Sequence, residues 1–138
     1  DWLIAGAIAA EISVSCECRD FDLWVRLLDV HPDGRAFNLM SPGNDVLRAS
    51  YRDGGARQLP EPGRVYRLRL PNLHTSIRLA KGHRLRAQIS ASFAPHLSRN
   101  LQTGESEVSG SKSQPARIAV HHDATHDSRL LVPVLKSS

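Results

Sequence analysis

Seven residues near the end of the chain, His121 to Asp127 (HHDATHD), carry the side chains best suited to chemistry. His122 and His126 stand in H-x3-H spacing. On a helix this would put two imidazoles on one face, with Asp123 or Asp127 free to add an oxygen ligand. The neighbours deny them that helix, because RIAV precedes them and RLLVPV follows, both strand-like. In a loop between strands the spacing loses its meaning. The expected role is a polar turn whose Asp and Ser groups cap backbone amides.

Cys16 and Cys18 are the chain's two cysteines. On a strand they share a face with Cα atoms about 6.7 Å apart and side chains parallel, which disfavours a bond between them. A metal site would need further soft ligands, and there is no other Cys to supply one. They are expected to be buried free thiols, which fits a reducing, cytoplasmic compartment. Nucleophilic catalysis lacks its parts: no G-x-S-x-G elbow occurs, and the nearest string, GESEV, lacks the second glycine. No glycine loop leads into a helix to cradle phosphate, since ARQLPEPG follows DGG. No catalytic residue, cofactor site or metal site is expected.

Composition narrows the partners. A formal charge of +4 rests on arginines that recur singly beside acidic or apolar residues, and aromatics make up only 5%. A nucleic-acid surface would gather its charge into a stripe interleaved with aromatics, so none is expected. The apolar run Trp2–Ala10 ends at Glu11, far short of the roughly 20 residues of a membrane helix. Its start in mid-run without Met suggests a piece of something larger.

Such residues must be held by strands. From Ile8 to Cys18 the even positions are Ile8, Ala10, Ile12, Val14, Cys16 and Cys18, against Glu11, Ser13, Ser15 and Glu17 among the odd ones. Period two of this quality predicts a half-buried strand. FDLWVRLLDV follows with Phe21, Leu23, Val25 and Leu27 on one face. Trp24, Leu28 and Val30 on the other are too apolar for open water. HPDG predicts a type I turn into a returning strand over Ala36–Met40. DVLRASYRDGG predicts a short strand, and LPEPGRVYRLRLP a turn and a strand with Tyr66, Leu68 and Leu70 inward. His83 to Phe93 predicts a strand whose charges, Arg84 and Arg86, face outward. Residues 105–116 are Ser/Gly-rich and predict a mobile loop. RIAVHH and RLLVPVL supply two last strands. About eight short strands with no helical period predict one all-β domain over 1–138, an antiparallel β-sandwich of jelly-roll type.

The strings RDFDLWVRLLDVHPDGRAFNL, VLRASYRDG, PGRVYRLRLP, KGHRLRAQIS, SRNLQTG and HHDATHDSRLLVPV occur in an order that resembles one family. It is the C-terminal non-catalytic domain of the X-Pro dipeptidyl-peptidase and cocaine esterase family of serine hydrolases. The likeness runs from about Ile4 to Leu135. It implies a galactose-binding-like jelly roll appended to an α/β-hydrolase domain, which holds the catalytic triad and would cleave esters or amides. By motif, Asp20 and Asp22 match the acidic start of the family's second strand. Arg48, Tyr51 and Arg52 match its R-x-x-Y-R element, Gly82, His83 and Arg84 its glycine-turn lead-in, and Arg99 and Asn100 its RN turn. CECRDFD departs from the usual D-x-P-D-T-D-F, and Asp127 stands where a Pro is usual.

The function this implies is structural: the domain buttresses its hydrolase partner and shapes the pocket wall. Trp24, Leu28 and Val30 would be covered by the neighbour across roughly 600–1,500 Å². The competing expectation is a free-standing carbohydrate- or ligand-binding module, which would need an exposed aromatic platform.

Overall fold

The computed structural model describes residues 1–40 and 45–135, so residues 41–44 and 136–138 of the expected domain lie outside it. Strand β1 (Trp2–Cys16) is the centre of the first sheet. Along one edge it pairs antiparallel with β5 (Val65–Leu79). Along the other it pairs in turn with β7 (Ile118–His121), β8 (Arg129–Leu131) and β9 (Val134–Leu135). The predicted alternation holds: Ile8, Ala10, Ile12, Val14 and Cys16 join the core. Because strands flank β1 on both edges, Ala9, Glu11 and Ser13 of the other face are also buried.

β5 runs on past Pro71, where the sequence predicts its end. Among the described residues it pairs only with β1, which makes it an edge strand. Its register shifts from Ala10↔Leu70 to Ile8↔Leu73, which inserts one extra residue at Pro71–Asn72. A bulge on an edge is where a proline without an N–H can sit in a ladder. Leu68, Leu70, Leu73 and Leu79 then all reach the core.

The second sheet is built on β2 (Asp22–Val30). β6 (Arg84–Ser90) pairs along one side of it. β4 (Asp45–Arg48) and β3 (Ala36–Asn38) share the other. The His31–Arg35 turn forms as expected, closed by His31 N–H to Arg35 O and Gly34 N–H to His31 O, both 2.9 Å. Gly34 has φ +90°, which a larger residue would resist. Leu23, Val25 and Leu27 of β2 meet the core face of β1, with Leu85, Ala87 and Ile89 packed alongside. The architecture is an antiparallel β-sandwich of nine strands and one 3₁₀ turn (Ala49–Tyr51) among the described residues.

Three expectations are corrected. First, Cys16 and Cys18 form a disulfide. β1 stops at Cys16 and the chain bends over 17–19, bringing the Cα atoms to 5.2 Å, inside the span a disulfide bridges. The argument from free thiols to a reducing compartment goes with the thiols. Second, the far face of β2 is covered from within the chain. Trp24, Leu28 and Val30 are only 6%, 8% and 1% exposed. Third, the strand expected to reach Phe93 ends at Ser90. The chain turns, and Phe93 packs on Trp24 with ring centroids 5.0 Å apart and planes tilted by 54°, while Trp24 Nε1–H donates to Ser92 O. Among the described residues, no helix is long and apolar enough to cross a membrane.

Candidate functional site

Asp20 and Asp22 flank Phe21, whose ring is 1% exposed in the core. Alternation therefore sends Asp22 to the outer face at the start of β2. The register sets it opposite Arg48 of β4. Arg48 binds it bidentately, Nε to Oδ1 at 2.7 Å and Nη2 to Oδ2 at 3.0 Å, the fork geometry that a guanidinium offers a carboxylate. Nη2 of Arg48 also lies 2.6 Å from Glu107 Oε2. Its pKa is raised, first by the hydrogen bond to Asp22, while the bond from Arg48 holds Glu107 below the ordinary carboxylate value. Asn100 Nδ2 donates to Asp22 Oδ1 at 3.0 Å, and its Oδ1 accepts from Gln102 N–H at 2.8 Å.

Asp20 is 1% exposed in the bend before β2, and both its oxygens are used. Oδ1 accepts the N–H groups of Phe21 and Ser50, at 3.0 and 3.1 Å. Oδ2 accepts the Ser50 hydroxyl at 2.7 Å and Arg57 Nη2 at 3.1 Å. Arg52 donates to the carbonyls of Ala49 and Gln58 and lies over the Tyr66 ring, 4.6 Å from its centroid. This end of the sandwich is thus a closed network of ion pairs. Its rim is apolar and open: Val46, Tyr51 and Leu97 are 41%, 46% and 39% exposed. With Asp22, Arg48 and Ser98 they line a groove of about 250 Å³.

The structure therefore gathers Asp20, Asp22, Arg48 and Asn100, with Arg52 and Tyr51 at the margin. It does not bring His83 and Arg84 to them. These lie by the opposite end of β2, paired to Val30 through Arg84, about 26 Å away along the strand. Trp24 lies between, buried, and Arg99 donates to Ser113 Oγ at 3.2 Å. Ser50, Arg57 and Glu107 carry no motif in the sequence, and Glu107 falls in the segment expected to be mobile. Asp29, whose carboxylate lies 2.9 Å from His83 Nδ1, left a trace: an acid follows Leu23, Val25 and Leu27 on the core-side alternation.

His122 and His126 occupy the predicted loop. Asp123 Oδ1 accepts the N–H groups of Thr125 and His126, both at 2.8 Å, so it caps the turn as expected. One pairing was not visible from sequence: Ser15 Oγ lies 2.9 Å from His121 Nε2. Among the described residues no carboxylate hydrogen-bonds that ring to orient it, so the pair lacks the third member of a nucleophilic triad. Asp20 and Asp22 are fully engaged by cations and amides. What this end can do is present a fixed, ion-paired floor and an apolar rim to another surface.

A family model described as X-Pro dipeptidyl-peptidase C-terminal non-catalytic domain matches residues 1–131. Cocaine esterase of Rhodococcus sp. (strain MB1 Bresler) is 31% identical over 137 residues, 96% of this chain and 23% of that protein. An aminopeptidase from a marine sediment Thaumarchaeota archaeon shares the fold with TM-score 0.80 and 24% identity, over 98% of this chain and 24% of that one. A selenomethionine-labelled alpha-amino acid ester hydrolase does so with TM-score 0.81 and 23% identity, over 97% of this chain and 24% of the other. The chain spans about a quarter of the length of each relative.

Proposed function

The chain belongs to the family of X-Pro dipeptidyl-peptidase C-terminal non-catalytic domains, and on that premise we propose that it is the accessory β-sandwich of a larger serine hydrolase. It buttresses the α/β-hydrolase domain and shapes the wall of its substrate pocket. The hydrolase would cleave acyl esters or X-Pro peptide bonds with residues outside this chain. The observation that carries the reading is the Asp22–Arg48 end of the sandwich. Asp22 and Glu107 both have Arg48 as a partner, so covering the floor leaves neither carboxylate without a cation. Around it Val46, Tyr51 and Leu97 leave apolar area exposed in one groove. An ion-paired floor with an apolar rim suits a contact between domains of one chain. The outward arginines of the first sheet do not need such a partner, since Arg69 and Arg129 bind Glu11 and Arg67 binds Asp127.

The test is a charge placed on the rim of the full-length protein. Tyr51→Asp and Leu97→Asp are expected to speed thermal inactivation of the esterase or peptidase activity several-fold. Val108→Asp, at a side chain 93% exposed and outside the groove, should leave it unchanged. Equal inactivation rates for all three variants would remove the docking assignment.

A further inference from the structure

At the other end of β2, three residues far apart in sequence converge. His83 Nδ1 lies 2.9 and 3.0 Å from the two oxygens of Asp29. His31 Nε2 lies 3.5 Å from Asp29 Oδ2. One ligand atom from each residue falls within 4.8 Å of the others. The side chains are 14%, 29% and 18% exposed for Asp29, His31 and His83, sheltered but not sealed.

We propose that Asp29, His31 and His83 form a divalent-metal site of the zinc class, with two imidazole nitrogens and one carboxylate as ligands. Two nitrogens and a carboxylate oxygen are the donor set of three-ligand zinc sites, which leave one position for water or an exogenous ligand. Zinc bonds of about 2.0–2.2 Å at tetrahedral angles put ligand atoms roughly 3.3 Å apart. The Asp29–His83 separations of 2.9 and 3.0 Å and the Asp29–His31 separation of 3.5 Å bracket that value, so an ion needs shifts of only a few tenths of an ångström at those contacts, and the two imidazole nitrogens lie within 4.8 Å of each other.

The backbone holds the geometry. His31 opens the hydrogen-bonded turn to Arg35, and His83 N–H donates to Ala80 O at 3.0 Å to close the second turn. The turns lie against each other: a Cβ at Gly82 would stand 3.4 Å from Pro32 Cγ. The ladder sets Asp29 opposite Leu85 and Val30 opposite Arg84, which fixes His83 beside the carboxylate.

A structural Asp–His hydrogen bond accounts for Asp29 and His83 alone. It does not account for the second imidazole. The rings of His31 and His83 sit with centroids 4.1 Å apart and planes at 41°, both directing a nitrogen toward one carboxylate. Two imidazoles on a single carboxylate form a convergent ligand set that a cation completes. Access is open, since His83 also lines a cleft of about 500 Å³ with Trp2, Lys81 and Leu85.

The experiment strips the purified protein with chelator and titrates it with Zn²⁺ by calorimetry, then with Co²⁺ by visible absorption. The expected result is one saturable ion per chain, with cobalt bands of a low-coordinate nitrogen and oxygen field. His31→Phe, which keeps the aromatic contact to Phe37, should lose at least tenfold in affinity. Asp29→Asn should lose more. His122→Ala with His126→Ala should change nothing. If His83→Ala fails to fold by circular dichroism, His31→Phe still decides. Absence of saturable binding at millimolar zinc, or binding that survives His31→Phe and vanishes in the His122/His126 variant, overturns the proposal.

Discussion

Asp20 shows what a single residue does in this fold. Its carboxylate is buried with four hydrogen bonds, two to backbone amides, one to a hydroxyl and one to a guanidinium. Asp20→Asn keeps an acceptor for the amides, removes the charge that Arg57 faces, and turns a donor toward Ser50. Breaking a buried pair from one side costs roughly 3–5 kcal/mol. Urea denaturation should show a stability loss near the lower end of that range, read as a lower midpoint with an unchanged m value. A change within about 0.5 kcal/mol, the scale of a surface substitution, would mean the network does not hold the β2 lead-in. Asp20, Asp22, Arg48 and Asn100 were visible in the sequence as motifs because each stands in a recognisable string. Ser50, Arg57 and Glu107 were not. Their roles depend on loops brought in over 30 or more positions, and nothing local in SYRDGGAR or ESEV marks the approach. The disulfide was missed for a related reason: alternation implies a straight strand, and the bend at 17–19 is what brings the two sulfurs together.

At the scale of elements, β1 shows how a central strand keeps a charge. Glu11 lies directly opposite Arg69 of β5 on one side and Arg129 of β8 on the other. Its oxygens accept from them at 3.0 and 2.8 Å. The hydrogen bond from Arg129 is the main cause that holds its pKa below the ordinary 4.5, with the nearby positive charges adding to it. A carboxyl whose pKa is depressed by folding binds protons more readily in the unfolded chain. Its contribution is therefore complete above about pH 4.5 and is lost as pH falls through the folded value. Glu11→Gln should lower the melting temperature at neutral pH, and the gap from the parent protein should close on the acid side of 4.5. A gap that stays constant down the acid limb would show that the glutamate acts by packing rather than charge.

Period two made β1 and β2 legible, because each keeps one face in the core, while the β2–β3 hairpin was legible from its HPDG turn although β3 is exposed throughout. It failed where tertiary demands outrank alternation. β5 crosses Pro71 because an edge bulge accepts it. β8 and β9 split at Pro133. The segment after Ser90 leaves the ladder so that Phe93 can cover Trp24.

For the whole molecule, the two ends of β2 carry different assignments. One offers a closed ion network with an apolar rim, suited to a neighbouring domain. The other gathers two imidazoles and a carboxylate beside an open cleft. The free-standing binding module has little aromatic surface to work with: Trp24 is buried, Tyr51 is exposed at one end of the sandwich, and Trp2 and Phe37 at the other. In the proposed function a hydrolase domain covers the Asp22–Arg48 end, and amide hydrogen exchange on the isolated chain and on the full-length protein measures that cover. Amides of 45–51 and 96–98 are expected to slow by at least tenfold in the full-length protein, while those of the His31–Arg35 turn exchange alike in both. Equal exchange at 45–51 and 96–98 in the two proteins, with protection elsewhere, would contradict it.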